Sequence, residues 1–157
     1  MKIKTAVVSN RERPRSALEH TGLDKYFERI VGASEPYGNL AYKPAPAMIE
    51  ALLEDLKISK ENAVYVGDSD IDIKTAVSAK VRGIGITTGN FKRGDFNALG
   101  AWKVIDSLSE LIEITDQAMY ESKRNGRNRV TLAKPAYETS WQEIAIEAYL
   151  DILKKHR

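Results

Sequence analysis

The chain contains no cysteine, which excludes disulfides, thiolate metal sites and a cysteine nucleophile. It also lacks an excess of charge of either sign. With 24 Lys and Arg against 22 Asp and Glu, no bulk field favours nucleic acid or an acidic membrane surface. Long hydrophobic runs are missing too. The opening MKIKTAVVSN holds two lysines and few apolar residues, short of a signal-peptide core or a membrane span. A soluble, cytoplasmic protein with neither nucleic-acid nor membrane partners is therefore expected. The 157 residues suffice for one ordinary domain with a real core and are too few for two.

What is present centres on residues 63–72, AVYVGDSDID. Val64, Tyr65 and Val66 read as a buried strand, and Gly67 turns the backbone into Asp68, Asp70 and Asp72. Carboxylates clustered just past a parallel strand point to a hard cation, Mg²⁺ first. The plain alternative is a solvated turn whose acids complement the dipole of the following helix. A Ca²⁺ loop fits poorly, because its sixth and twelfth positions call for Gly and Glu and here hold Ile73 and Ala79.

The rest of the chain alternates strands and helices. Residues 5–8 form a strand candidate ending at Ser9 and Asn10. RPRSALEHTGL reads as a short helix, with Pro14 in its first turn and Gly22 near its end. Residues 26–31 read as a second strand. A loop over 32–42, rich in Gly, Ser, Pro and Asn, delivers Lys43 just before Pro44. Ile49, Leu52, Leu53 and Leu56 keep the spacing of a helix with one buried face. Residues 72–80 predict a helix and 83–86 a strand ending at Thr87, Thr88 and Gly89. Residues 90–100 read as polar and irregular, and 103–105 as a short edge strand. This alternation implies an α/β fold, a mainly parallel sheet in a Rossmann-like three-layer sandwich. In such sheets ligands collect beyond the carboxyl ends of the strands, which puts Ser9, Lys43, Asp68, Asp72 and Thr87 on one rim.

Three segments in this order resemble the haloacid dehalogenase superfamily of phosphohydrolases, in its phosphoglycolate phosphatase-like branch. VVSN at 7–10 resembles the second motif, YKPAPAMI at 42–49 the third, and VGDSDID at 66–72 the fourth, GDSxxD. Residues 85–89 and AWKVIDSLSEL at 101–111 also resemble the end of that domain, so the likeness covers roughly the first 112 residues. It implies that Ser9 and Asn10 bind phosphate with Lys43, and that Asp68 holds Mg²⁺, with Ser69 and Thr87 nearby. Asp72 would orient Lys43 or hold the metal's water shell. A phosphate or phosphomonoester is the implied ligand. The chemistry agrees, since a transferring phosphoryl group spreads negative charge that needs donors and cations aimed at it.

One part of that pattern has no counterpart. Enzymes of this family attack phosphate with the first Asp of a DxDx[TV] motif on the first strand of the sheet, and none of the eight residues before Ser9 forms one. Asp68 attacking with Asp70 as proton relay is the alternative, but Asp72 then stands where Thr or Val belongs. The expectation is a core that keeps its phosphate and metal rim, lacks its nucleophile, and is inactive alone unless another chain completes it. By the family's pattern the missing strand lies mid-sheet and leaves a gap.

Domain boundaries are expected at 1–114 for this core, 115–132, and 133–157 for a helical tail. The capping box SLSE starts a helix at Ser107. DQAMYESKRNGRNRV at 116–130 resembles the end of a GGDEF diguanylate cyclase domain, whose last helix leads through a GRN-x-V turn into a strand. By that resemblance Lys123 and Arg127 match residues that contact GTP phosphates. The GGDEF signature and the guanine-reading positions are absent, so cyclase activity is not expected. The pairing of two such families suggests a recombined, truncated or engineered chain. Residues 129–132 are expected as a strand filling the mid-sheet gap. A final helix from about residue 140 carries Trp141, Ile144, Ala145, Ala148, Ile152 and Leu153 on one stripe, serving as core or as a homodimer interface. A non-catalytic folding or interaction module remains the third reading of the whole.

Overall fold

The computed structural model describes residues 4–111, 132–133 and 137–138. Strand β1 (Ala6–Val8) leads into helix α1 (Pro14–Thr21), and a 3-10 turn (Asp24–Tyr26) into β2 (Arg29–Val31). Then follow α2 (Ala47–Leu56), a 3-10 turn (Lys60–Asn62), β3 (Val64–Gly67), α3 (Asp70–Ala79), β4 (Arg82–Ile86), α4 (Arg93–Ala98) and β5 (Lys103–Ile105). This is the α/β fold of parallel strands and helices that the alternation predicts.

Local chemistry sets the boundaries. Pro14 occupies the first turn of α1, where its missing N–H costs nothing. Gly22, at φ 69, ends the helix with backbone bonds to Leu18 and Glu19, a left-handed cap that glycine adopts without strain. The apolar stripe of α2 is buried at Ile49, Leu52, Leu53 and Leu56. Ser69 caps α3 and pairs reciprocally with Asp72, so this helix starts two residues earlier than its periodicity predicts. At residues 107–110 the Glu110 carboxylate accepts the Ser107 N–H at 3.2 Å, and residues 108–111 are helical.

Two expectations need correcting here. The second strand spans only Arg29–Val31, because Asp24–Tyr26 turns as a 3-10 helix. The stretch read as irregular contains α4. Its first turn is held by the Lys92 N–H donating to Asp95 at 2.9 Å, and Phe96 is fully buried. That ring lies where a Cβ on Gly85 would come within 2.4 Å of it, so a bare glycine in β4 admits the only large apolar side chain of the helix.

The parallel ladders fall into two groups. β1 pairs with β2, Val7 opposite Ile30. β3, β4 and β5 form a second set, Val66 opposite Ile84 and Gly85 opposite Val104. Among the described residues no ladder joins β1 to β3. The two groups are held together by packing: Val8 contacts the cluster of Ile49, Leu53, Ala76, Ala79 and Val81, and also that of Val31, Met48, Leu52 and Leu56. An apolar cleft of about 120 Å³ remains between β1, β3 and α2.

Leu132 does not fill that gap. It lies in β6 (Leu132–Ala133), which pairs antiparallel with β7 (Tyr137–Glu138), Leu132 opposite Glu138. A strand only two residues long, paired with its near neighbour in sequence, satisfies its backbone locally. Residues 129–131, the cyclase-like segment with Lys123 and Arg127, and the final amphipathic helix lie outside the described residues.

Candidate active site

Three loops converge at the carboxyl ends of β1 and β3. Asn10, two residues past β1, clamps the backbone of Lys43: its Oδ1 accepts the Lys43 N–H at 2.7 Å and its Nδ2 donates to the Lys43 carbonyl at 3.2 Å. With its main chain fixed on both sides, Lys43 extends Nζ to the Asp72 Oδ1 at 2.6 Å and to the Tyr65 hydroxyl at 3.0 Å. Tyr65 in turn donates to Asp72 Oδ1 at 3.0 Å. The other Asp72 oxygen accepts from the Ser69 hydroxyl at 2.6 Å and the Ser69 N–H at 3.2 Å. Of the two roles expected of Asp72, orienting Lys43 is the one its hydrogen bonds make.

The pair is largely withdrawn from water, with side chains 13% exposed at Lys43 and 9% at Asp72. Burial pushes the Asp72 carboxyl up, but the hydrogen bonds from Lys43, Ser69 and Tyr65 and the charge of Lys43 outweigh it and hold the group below the ordinary carboxylate range. Burial, and then the negative charge of Asp72, raise the Tyr65 hydroxyl well above its ordinary value. Tyr65 therefore stays a neutral donor. Gly67 makes the arrangement possible, since a Cβ there would meet the Asp72 Cβ at 2.2 Å.

Ser9 closes the end of β1. Its N–H donates to the Val31 carbonyl at 2.9 Å and its Oγ accepts the Arg11 N–H at 3.2 Å, which leaves the hydroxyl proton to donate. Asp68 follows β3 directly, and its negative charge reaches Tyr65. The loop after β4 closes in beside it: a Cβ on Gly89 would lie 2.8 Å from the Asp68 carbonyl oxygen and 3.2 Å from its Oδ2. Thr87 is committed elsewhere, donating to Asp106 at 2.7 Å, and Arg93 also holds that carboxylate, at 2.8 Å. Asp70 pairs with Lys74 at 2.6 Å, one turn along α3, which does not suit a proton relay for Asp68.

Tyr65 is the site residue that the sequence reading passed over. Its place in an apolar strand marked it as core, yet a buried phenol usually finds a polar partner, and that was the available signal.

A metal must find its ligands in this setting. No group of three or more His, Cys, Asp or Glu side chains clusters among the described residues. Mg²⁺ does not need one, because it commonly takes one or two carboxylates together with phosphate oxygens and water. Asp68, with the space left by the missing Gly89 side chain, fits that pattern.

The family model described as haloacid dehalogenase-like hydrolase matches residues 1–86. The chain belongs to this family. Among relatives of the haloacid dehalogenase-like type, a protein of Caldanaerobacter subterraneus subsp. tengcongensis that carries the name pyrophosphatase PpaX is 42% identical over 86 residues, covering 54% of this chain and 38% of that one. The phosphoglycolate phosphatase of Rhodospirillum rubrum is 36% identical over 112 residues, covering 69% of this chain and 44% of its own. A haloacid dehalogenase-like protein from Agrobacterium tumefaciens superposes with a TM-score of 0.62 at 27% identity, over 73% of this chain and 54% of that one. The chain thus spans less than half the length of both curated relatives. Over these residues it is similar to phosphoglycolate phosphatases and has the α/β fold of the family's solved structures. No helix among the described residues is long and apolar enough to cross a membrane.

Proposed function

We propose that this chain is a phosphohydrolase core that binds a phosphate or phosphomonoester together with Mg²⁺ at its rim, and that alone it turns over little or no substrate. The observation that carries this reading is the Asn10–Lys43–Asp72 connection, which fixes an ammonium group at the carboxyl ends of β1 and β3, the same end of β1 that Ser9 follows. Ser9 donates to one phosphoryl oxygen, and Lys43 neutralises another. Asp72 and Tyr65 hold Lys43 aimed, so little reorganisation is needed as charge shifts during transfer. Asp68 would hold Mg²⁺, whose chemistry is charge neutralisation at the phosphoryl oxygens.

Inactivity alone rests on the sequence: no DxDx[TV] occurs within residues 1–157. Turnover then needs a carboxylate from outside these residues, and the lack of a ladder between β1 and β3 among the described residues favours this second reading over attack by Asp68. The test is hydrolysis of p-nitrophenyl phosphate with Mg²⁺ and with EDTA, alongside an NMR titration with inorganic phosphate. Phosphate-dependent shifts at Ser9, Lys43 and Asp68 without turnover support the proposal. Turnover by the chain alone that Asp68→Asn abolishes would reject it in favour of Asp68 as nucleophile, and no shifts at all would leave a non-catalytic module.

A further inference from the structure

The loop that closes in beside Asp68 is gripped at both ends by one carboxylate. Asp106 follows β5 directly, and its Oδ1 accepts the Thr87 hydroxyl at 2.7 Å while its Oδ2 accepts from Arg93 Nη2 at 2.8 Å. Thr87 is the first residue after β4 and Arg93 the first of α4, so residues 88–92 are the whole segment between the two attachments. Each end has a second anchor near the end of β5. The Thr87 N–H donates to the Ile105 carbonyl at 3.0 Å, and Arg93 Nη1 donates to the Val104 carbonyl at 2.6 Å. Asp106 is itself fixed, because the Glu110 carboxylate accepts its N–H at 2.8 Å.

This segment reaches the candidate metal ligand. Gly89, two residues past Thr87, comes so near Asp68 that a Cβ on it would lie 2.8 Å from the carbonyl oxygen and 3.2 Å from Oδ2. Two residues of chain span at most about 7 Å, so an anchor at Thr87 leaves Gly89 little freedom to withdraw. The far side is seated as well, since the Phe91 ring meets that of Phe96 at 5.8 Å, and Phe96 is fully buried. Exposure argues against a role in folding stability. The side chains of Arg93 and Asp106 are 50% and 64% exposed, and ion pairs so open to solvent contribute little. The Thr87 hydroxyl, and then Arg93, hold the Asp106 carboxyl below the ordinary carboxylate range, so at neutral pH it is an ionised acceptor for both.

We infer that Asp106 is a positioning residue for the candidate Mg²⁺ site, acting through Thr87 and the loop and not by touching the ion. The inference rests on the reading of Asp68 as the Mg²⁺ ligand. A site with few protein carboxylates depends on each being presented in one orientation, and the groups that hold such a ligand set its affinity. The Gly89 backbone stands beside Asp68 Oδ2, and a loop free to lift would let that carboxylate turn away. Bridging the two ends of a short loop removes much of that freedom. Both Asp106 oxygens already have donors, which separates the role of this carboxylate from that of Asp68.

The test is an NMR titration of the full chain with MgCl₂, followed at the Asp68 and Gly89 amides, beside a titration with inorganic phosphate in EDTA, followed at Ser9 and Lys43. Asp106→Ala frees both ends of the loop and is expected to weaken Mg²⁺ binding about tenfold, as loss of a supporting partner does, with phosphate affinity unchanged. In the metal-free chain the same variant is expected to shift the amides of residues 87–92 and the Asp68 carboxyl carbon, with the urea midpoint close to wild type. Thr87→Val keeps the shape and removes the hydroxyl, so it should lose Mg²⁺ affinity in the same direction. Thr87→Ser keeps the hydroxyl and should bind as wild type does. Wild-type Mg²⁺ affinity in Asp106→Ala would overturn the inference. Equal losses in Thr87→Ser and Thr87→Val would do so too, as would a parallel loss of Mg²⁺ and phosphate, which marks general damage. Each of these leaves the reading of Asp68 in place, whereas a wild-type chain that binds no Mg²⁺ overturns both.

Discussion

Lys43 and Asp72 lie 29 residues apart and meet at 2.6 Å in a setting that excludes most water. Neither would be stable there alone. A buried charge whose partner is removed costs about 3–5 kcal/mol, so Lys43→Met should lower the unfolding free energy by about that amount, measured by urea denaturation. The same variant should lose phosphate-induced NMR shifts at Ser9.

The acid limb of stability should report Asp72. Its carboxyl lies below the ordinary range when folded, so the unfolded chain binds the proton more readily. Its contribution is therefore complete above the unfolded value of about 3.9 and is lost as pH falls through the lower folded value. Stability measured from pH 6 downward should fall below about pH 4, and Asp72→Asn should flatten that part of the fall.

Tyr65→Phe keeps the ring and deletes the hydroxyl that bridges Lys43 and Asp72. The expected loss is about 1 kcal/mol, with the Asp72 titration moving upward because one donor to its charged form is gone. Carboxyl-detected NMR titration would show the movement. An unchanged Asp72 would mean that the bridge contributes nothing.

Gly89→Ala places a Cβ 2.8 Å from the Asp68 carbonyl oxygen, so the loop or Asp68 must shift. Mg²⁺ affinity, measured by calorimetry, should weaken about tenfold, as when a supporting contact beside a metal ligand is disturbed. Gly94→Ala, where a Cβ meets nothing within 4 Å, serves as the control. It should leave affinity unchanged and stabilise α4 by about 0.5–1 kcal/mol.

Much of the rim was legible because strand ends advertise themselves: apolar runs that stop at Ser9–Asn10 and at Gly67–Asp68 mark both position and polarity. The Lys43–Asp72 contact could be expected from the order of the motifs, since helix and strand between them fix where each must emerge. Tyr65 was hidden by its neighbours, because a strand of valines makes any aromatic look like filling. The helix α4 was hidden for the opposite reason. With Phe96 as its only large apolar side chain, it shows no periodicity, and its burial depends on the bareness of Gly85, a fact that exists only in three dimensions. The position of Leu132 depends on competition between a nearby partner and a distant one, which composition does not rank.

The clamp that Asn10 makes on Lys43 ties the end of β1 to the loop that carries the site's ammonium group, so the cradle depends on β1 staying in place. With no ladder crossing from one strand group to the other among the described residues, the line between them is a seam closed by side chains and by α2, and such seams yield before continuous sheet does. Warming should therefore separate β1 and β2 from their neighbours first and dismantle the anion cradle while β3 to β5 still hold. Loss of the ligand pocket would precede loss of the fold.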